Sequence, residues 1–273
     1  MTTPQTLIDA RYGSEVMQAP QSWSPVIESL LGHASVRSYL PTPVSDDQLA
    51  AIIAAAQSAA NSSNLQVWSV VAVRDAGRRA ALAECAGGQT HVREAPLQLV
   101  WLADLARLER VAQSVDRPSI ALDYTELFLT GVIDAALAAQ NAVAAAESLG
   151  LGTVYIGGMR NQPEAVAELL NLPPKVVAVF GMCVGTPDPA KPAAVKPRPA
   201  QSVVLHHEGY SLETQDAGIE AYNQAMAAFY TEQNMNVHGT WAVHSAKRVA
   251  GPESMSGRDR LVAALHARGF SLK

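Results

Sequence analysis

From Tyr124 to Leu149 the chain reads YTELFLTGVIDAALAAQNAVAAAESL, a long helical pattern that is apolar nearly all round and rich in alanine. A helix without a polar face has to be covered on most of its sides, so the fold must be built around this segment. Asp134, Gln140 and Asn141 interrupt the apolar run, which favours a buried helix of a folded domain over a membrane span. Gly150 is placed to end it in a left-handed turn. Asp134 is out of keeping with its neighbours and is expected to be paired or to face a subunit boundary.

Charged residues make up 16% of the 273 and apolar residues 48%. Globular chains average about 25% charged, so this chain has less charge than a lone surface of its size calls for. The apolar content excludes a disordered chain. The balance of 20 Lys and Arg against 25 Asp and Glu, a net −5, excludes a nucleic-acid binder built on a basic field. The opening MTTPQTLIDARYG has no basic segment followed by an apolar run, so no signal peptide is expected. Cys85 and Cys183 lie far apart without a CxxC, and Cys183 sits in the apolar run VFGMCVG as a small core residue would. A cytoplasmic, reducing setting fits this usage.

Helices and strands mix without the regular βαβ repeat of a doubly wound sheet. Residues 1–22 are weakly patterned and read as an arm or a short helix. Helices are expected over 25–31, 46–60, 76–86, 105–114, 163–170, 212–230 and 258–268. The second of these opens on a capping box, Ser45 with Gln48, and Asp46 and Asp47 favour its positive end. Strands are expected over 67–73, 97–103, 154–156 and 176–184, with one more over 203–206. Residues 187–199 are proline-rich and extended.

Four places carry polar groups suited to an anionic or flat ligand. In HASVR, His33, Ser35 and Arg37 alternate, so an extended backbone points them one way and Val36 the other. An Arg fork flanked by His and Ser suits a phosphate or a polarised carbonyl. In KPRP, prolines hold the backbone extended and set Lys196 and Arg198 on one side, about 6–7 Å apart. Read alone, either motif also fits a solvated loop. The stretch Gly150–Gly158 (GLGTVYIGG) is not a dinucleotide fingerprint, because Tyr155 stands where the third glycine belongs and Gly150 ends a helix. Gly157 and Gly158 would instead let backbone amides approach a flat ligand.

Gln89, behind Gly87 and Gly88, carries the donors and acceptor that match a pyrimidine edge, or is an exposed residue after a helix cap. The loop Asn61-Ser62-Ser63-Asn64 with Gln66 has the same two readings, and His91 is either near a ligand or a satisfied surface residue. HExxH and GxSxG are missing. His206 and His207 are adjacent and point to opposite faces of a strand, and His238 and His244 lack a spaced acidic partner. No metal site is expected.

Together the motifs HxSxR (His33–Arg37), GGQxHV (Gly87–Val92), AQNAxxAAESLGLGxVYIGGxRN (Ala139–Asn161) and KPRP (Lys196–Pro199) resemble the oxygen-insensitive nitroreductases and the similar flavin reductases. The resemblance runs from residue 24 to 212 and more weakly to the C-terminus. It implies an α+β fold with a central mixed, mostly antiparallel sheet flanked by helices. It also implies an arm over 1–22 and one FMN-binding domain over 23–273, whose helical C-terminal extension embraces the second subunit of an intertwined homodimer. FMN is then the cofactor and NADPH or NADH the hydride donor. Hydride passes in ping-pong fashion through flavin N5 to nitroaromatics, quinones or related flat acceptors. The alternatives are a flavin reductase that supplies reduced FMN to a partner, and a flavin-binding protein without turnover. Neither nucleic acid nor a membrane is a partner.

Carried over residue by residue, the resemblance sets His33, Ser35, Lys196 and Arg198 at the phosphate and Arg37 near N1 and O2 of the ring. Asn61, Ser62 and Ser63 reach the ribityl or phosphate from the other subunit. Gln89 meets the pyrimidine edge. Tyr155, Ile156, Gly157 and Gly158 line the dimethylbenzene and central ring, with a backbone N–H at N5. No catalytic side chain is implied, only electrostatic tuning by Arg37. Ala34, inside the phosphate segment, and Asn61 stand where relatives carry Arg and Ser. Relatives also place an Arg before a Thr-Trp pair to grip the 2′-phosphate of NADPH. Here the stretch reads Asn236-Val237-His238-Gly239-Thr240-Trp241 without it, so NADH is expected as a donor beside NADPH. Two copies joined along residues 124–149 would account for the low charge, because large obligate interfaces are apolar.

Overall fold

A computed structural model describes residues 3–14 and 16–273; Met1, Thr2 and Glu15 of the arm lie outside the described residues. In chain order the helices are α1 (Pro4–Tyr12), α2 (Pro25–Leu31), α3 (Asp46–Gln57), α4 (Ala76–Cys85), α5 (Thr90–Glu94), α6 (Ala106–Ser114), α7 (Thr125–Ser148), α8 (Pro163–Leu169), α9 (Asp216–Glu232), α10 (Trp241–Arg248) and α11 (Leu261–Ala267). The strands are β1 (Trp68–Val73), β2 (Leu97–Asp104), β3 (Gly152–Ile156) and β4 (Val176–Gly185). The chain divides into two compact units, one of residues 1–34 and 193–255, the other of residues 35–192 and 256–273.

The larger unit holds the sheet, in the order β1-β2-β4-β3 with every neighbouring pair antiparallel. A single parallel bridge, Ser35 to Thr153, lies outside the strands proper. β2 is buried on both faces, as its mostly apolar run LQLVWLA requires, and Gln98 is the polar residue buried with it. Leu97, Leu99 and Trp101 turn to one face, where they pack with Ile52 and Ala56 of α3 and Ala138, Ala142 and Ala146 of α7. Val100 and Leu102 turn to the other, against Leu82 of α4, Val92 of α5 and Val166 of α8. Three layers result, helices on both sides of one sheet, and the alanines of α7 let it lie close to the strands. Cys183 is fully buried in this core and Cys85 lies at its edge; burial pushes the Cys183 thiol up to about 12 and also raises that of Cys85.

The helix over residues 124–149 is as long as the sequence demands, yet its covering is one-sided. Thr130, Asp134, Ala138, Ala142 and Ala146 face inward, whereas Leu129, Ile133 and Leu137 form an exposed stripe at successive i+4 spacings. By length and apolarity α7 would pass for a membrane span, but its alanines are core residues of the three-layer unit.

In the smaller unit, α9 buries Tyr222, Met226, Phe229 and Tyr230, with Trp241 of α10 against Tyr222 at 5.2 Å between ring centroids. Three readings of the sequence need correction. The strand expected over 203–206 is absent; the chain makes a 3₁₀ turn, Gln201–Val203, and leaves Val204 and Leu205 exposed with no neighbouring strand to pair. The helix expected from 212 begins at Asp216, after a further 3₁₀ turn. α5 and α10 were not foreseen: α5 is only five residues long and lacks a side-chain cap, while Thr240 does cap α10 through the Val243 N–H.

Candidate active site

The segment carrying Ser35 and Arg37 is sewn along the sheet. Val36 N–H donates to Thr153 C=O of β3 at 2.9 Å, and Leu40 N–H donates to Thr186 C=O at 2.9 Å. Gly152 permits the approach, since a Cβ there would lie 2.5 Å from Val36 Cγ2. Val36 is buried and Arg37 exposed, as the alternating pattern requires. The Arg37 guanidinium bonds only to Ser35 C=O, at a long 3.5 Å, and no carboxylate pairs with it among the described residues. Its charge is felt by His91, which titrates below its usual range through burial first and then the nearby Arg37.

Downstream of β3, the turn Gly157–Arg160 meets the loop that carries Gln89. Gly87 and Gly88 have positive φ (89° and 72°) and swing the chain round. Gln89 Nε2 then donates to Ala86 C=O at 2.8 Å. A Cβ on Gly158 would sit 2.7 Å from that same carbonyl oxygen, so only glycine lets the turn rest there. Gln89 and Gly158 are thus brought together over Ala86. A Cβ on Gly157 would make only ordinary contacts, 3.5 Å to Arg160 Nη2 and 3.7 Å to Arg258 Nη1, so this position has room that Gly158 lacks. Tyr155 is half exposed and stacks edge-on against Phe180 at 5.2 Å. Ile156 is buried in the core and offers a ligand its backbone only.

The loop of Asn61, Ser62 and Ser63 is fixed elsewhere in this unit. Ser62 N–H donates to Asp134 Oδ1 of α7 at 3.1 Å, and Gln66 Nε2 donates to Asn64 Oδ1 at 2.8 Å. Ser63, Asn64 and Gln66 all have φ near +50° to +55°, a strained run for non-glycine residues. Asp134 is 1% exposed, and burial raises its pKa while the Ser62 bond lowers it. Asp134 Oδ2 and Asn61 Oδ1 are buried without hydrogen-bond partners among the described residues. No hydrogen bond joins this loop to Arg37, Gln89 or Gly158 among the described residues, so one chain does not assemble all the expected residues by such contacts.

Two further guanidinium groups gather at the Gly157 turn: Arg160, which closes the GGxRN motif without an assigned role, and Arg258, which no motif marks. Arg160 Nη2 and Arg258 Nη1 lie 3.5 and 3.7 Å from where a Gly157 Cβ would be. Arg160 is anchored on Val179 C=O, and Arg258 Nε donates to Asn161 Oδ1 at 2.8 Å. Burial, and then the charge of Arg258, hold Arg160 below its usual range. Neither has a carboxylate partner among the described residues.

In the smaller unit, His33, Lys196 and Arg198 are linked through one residue of the arm. Arg11 is 5% exposed. Its Nη1 donates to Lys196 C=O at 2.7 Å, and its Nη2 to Leu31 C=O at 2.6 Å and His33 C=O at 2.9 Å. Arg198 N–H donates to Arg11 C=O at 2.7 Å. The Arg198 side chain is exposed and, among the described residues, bonds only carbonyls of its own segment, Lys196 and Pro197. Its charge pulls down the Tyr222 phenol, which burial raises.

Comparison with known proteins gives this arrangement its context. Residues 30–186 match the model described as Nitroreductase family, and residues 196–273 match that of the Nitroreductase family, C-terminal domain. The chain is 39% identical over 246 residues to the NADPH-flavin oxidoreductase of Vibrio harveyi, covering 90% of this chain and 98% of that one. It is 38% identical over 251 residues to the oxygen-insensitive NADPH nitroreductase of Salmonella typhimurium, covering 92% and 100%. Among solved structures it is similar to Bacillus megaterium NfrA2, with TM-score 0.86 and 35% identity over 92% of this chain and all of that one. The NADPH:FMN oxidoreductase of Vibrio harveyi complexed with NAD+ gives TM-score 0.80 and 38% identity over the same shares. Sequence, fold and the order of its motifs agree that the chain belongs to the nitroreductase family.

Proposed function

We propose that the chain is an FMN-dependent NAD(P)H oxidoreductase that delivers two electrons to nitroaromatics, quinones or similar flat acceptors, and that it works as a cytoplasmic homodimer. The observation that carries this reading is Arg37, an exposed cation without a carboxylate partner among the described residues, on a backbone fixed to β3. A positive charge held in place ahead of the reaction stabilises negative charge at the N1–O2 edge of the ring without reorganisation.

The other expected residues suit the rest of FMN. Gln89 takes the pyrimidine edge. The backbone of Gly157 and the Gly158 turn take the central ring near N5, with Tyr155 and the Ile156 backbone beside the dimethylbenzene. His33, Ser35, Lys196 and Arg198 take the phosphate, with the Ala34 backbone alongside. Asn61, Ser62 and Ser63 are assigned to the FMN of a second copy, in keeping with their attachment to α7 beside its exposed stripe. Residues 1–22 form an arm, and 23–273 a domain whose C-terminal part embraces that copy.

When bound, FMN supplies the hydride chemistry, so donor and acceptor use one pocket in turn and the protein needs no nucleophile. Arg160 and Arg258, cations at the Gly157 turn, are available to oxygen atoms of an acceptor. The relatives' names support NADPH as donor. The lack of Arg over residues 236–241 admits NADH as well.

Anaerobic stopped-flow mixing of the purified yellow protein with NADPH and with NADH tests this. Bleaching of bound flavin by both is expected, followed by recovery on adding a nitroaromatic. Absence of bleaching by either overturns the enzymatic reading in favour of a flavin-binding protein. The name of the Vibrio harveyi relative favours a second reading, supply of reduced flavin to a partner; loss of flavin from the protein on reduction supports that one.

A further inference from the structure

We infer that Arg11 is a positioning residue for phosphate recognition, acting from the N-terminal arm through the main chain of the segments that carry His33, Lys196 and Arg198. The inference rests on the reading that those residues take the FMN phosphate. Arg11 lies ahead of residue 30, where the family match begins.

The sequence delivers Arg11 to this place by ordinary helix logic. Thr3 caps α1 through the Thr6 N–H, Pro4 opens it, and Gly13 at φ 97° ends it. Leu7, Ile8 and Arg11 are its buried residues, and Leu7 and Arg11 are one turn apart on the same face. Arg11 falls in the last turn, where a cation is favoured by the helix end.

The contacts of Arg11 bracket the two phosphate segments. Its guanidinium takes the carbonyls of Leu31 and His33, on either side of Gly32. Lys196 C=O, received by Nη1, and Arg198 N–H, given to Arg11 C=O, lie on either side of Pro197. Each bracket fixes the peptide planes between its two contacts, and so the directions in which His33, Lys196 and Arg198 leave the backbone. A planar fork with five donors makes such multiple bonds, which a lysine ammonium cannot reproduce in the same geometry. Holding cations ready lowers the ordering cost of gripping a phosphate.

The test compares FMN with riboflavin, which has the same ring and ribityl chain but no phosphate. Dissociation constants are measured by fluorescence titration on the full-length protein and on Arg11→Met and Arg11→Lys. Arg11→Met is expected to weaken FMN about tenfold or more, the loss typical of charge-assisted bonds, and riboflavin by less than about twofold. Arg11→Lys, which folds more readily because it keeps the charge, is expected to fall between Met and wild type for FMN. Equal weakening of both flavins, or unchanged FMN affinity in both variants, overturns the inference. A wild-type protein that binds FMN no tighter than riboflavin overturns instead the phosphate-site reading beneath it.

Discussion

At the scale of single residues, the chemistry rests on charges whose surroundings set their behaviour. His91 titrates below 6.5 because it is half-buried and faces the charge of Arg37. The unfolded chain therefore takes up this proton first as pH falls, so stability is complete above about pH 6.5 and declines as pH drops through the folded value. Arg37→Ala is expected to raise the His91 pKa, read by NMR titration of the ring, and to shrink the loss of unfolding free energy between pH 7.5 and 5.5. A His91 titration that does not move would show that the two charges do not interact. Arg37 itself was legible in the sequence, because alternation in HASVR already set it opposite the buried Val36. Arg11 and Arg258 were not, and Arg160 stood in the GGxRN motif without a role. Each acts through backbone carbonyls or a single amide brought near by the fold, and nothing in the local pattern marks such contacts. Asp134 was legible only as an anomaly. Its actual role, accepting the Ser62 N–H from a strained loop, depends on the packing of α7.

At the scale of elements, Gly157 and Gly158 do different work although they are neighbours. Gly158 is pressed on Ala86, whereas a Cβ on Gly157 would meet only side-chain ends, at 3.5 Å and beyond. Gly158→Ala is expected to destabilise the fold by about 1–3 kcal/mol through overpacking, seen as a lower Tm. Gly157→Ala is expected to leave stability within about 0.5 kcal/mol, as surface changes do, yet to weaken FMN binding because a methyl group would stand where the ring approaches. The opposite pattern would reverse the assignment of the two glycines. The four strands found were each visible as apolar runs, and α3 was visible from its capping box, whereas α10 was missed although Thr240 caps it. The failures fall where the signal is tertiary or short. Residues 203–206 have the β-branched pair of a strand but no edge to join, and α5 is too brief to show periodicity.

At the scale of the whole molecule, the low charge now has a physical location. Leu129, Ile133 and Leu137 line the outer face of α7, about half exposed in a single chain. We place a second copy there. Because Ile133 touches little within its own chain, Ile133→Asp should change monomer stability by no more than about 0.5 kcal/mol. It is expected to convert a dimer into a monomer on light scattering and to release FMN. A wild-type chain that is monomeric with FMN fully bound would refute the pairing. The two sulfhydryls have a consequence of another kind. Reduction of nitroaromatics yields nitroso compounds, electrophiles that add to thiolates. Cys183 is sealed in the core with its thiol pushed up to about 12, and Cys85 is raised as well. Both therefore stay protonated near neutrality, so under the proposed nitroaromatic reduction the protein's own sulfur resists addition to the nitroso product.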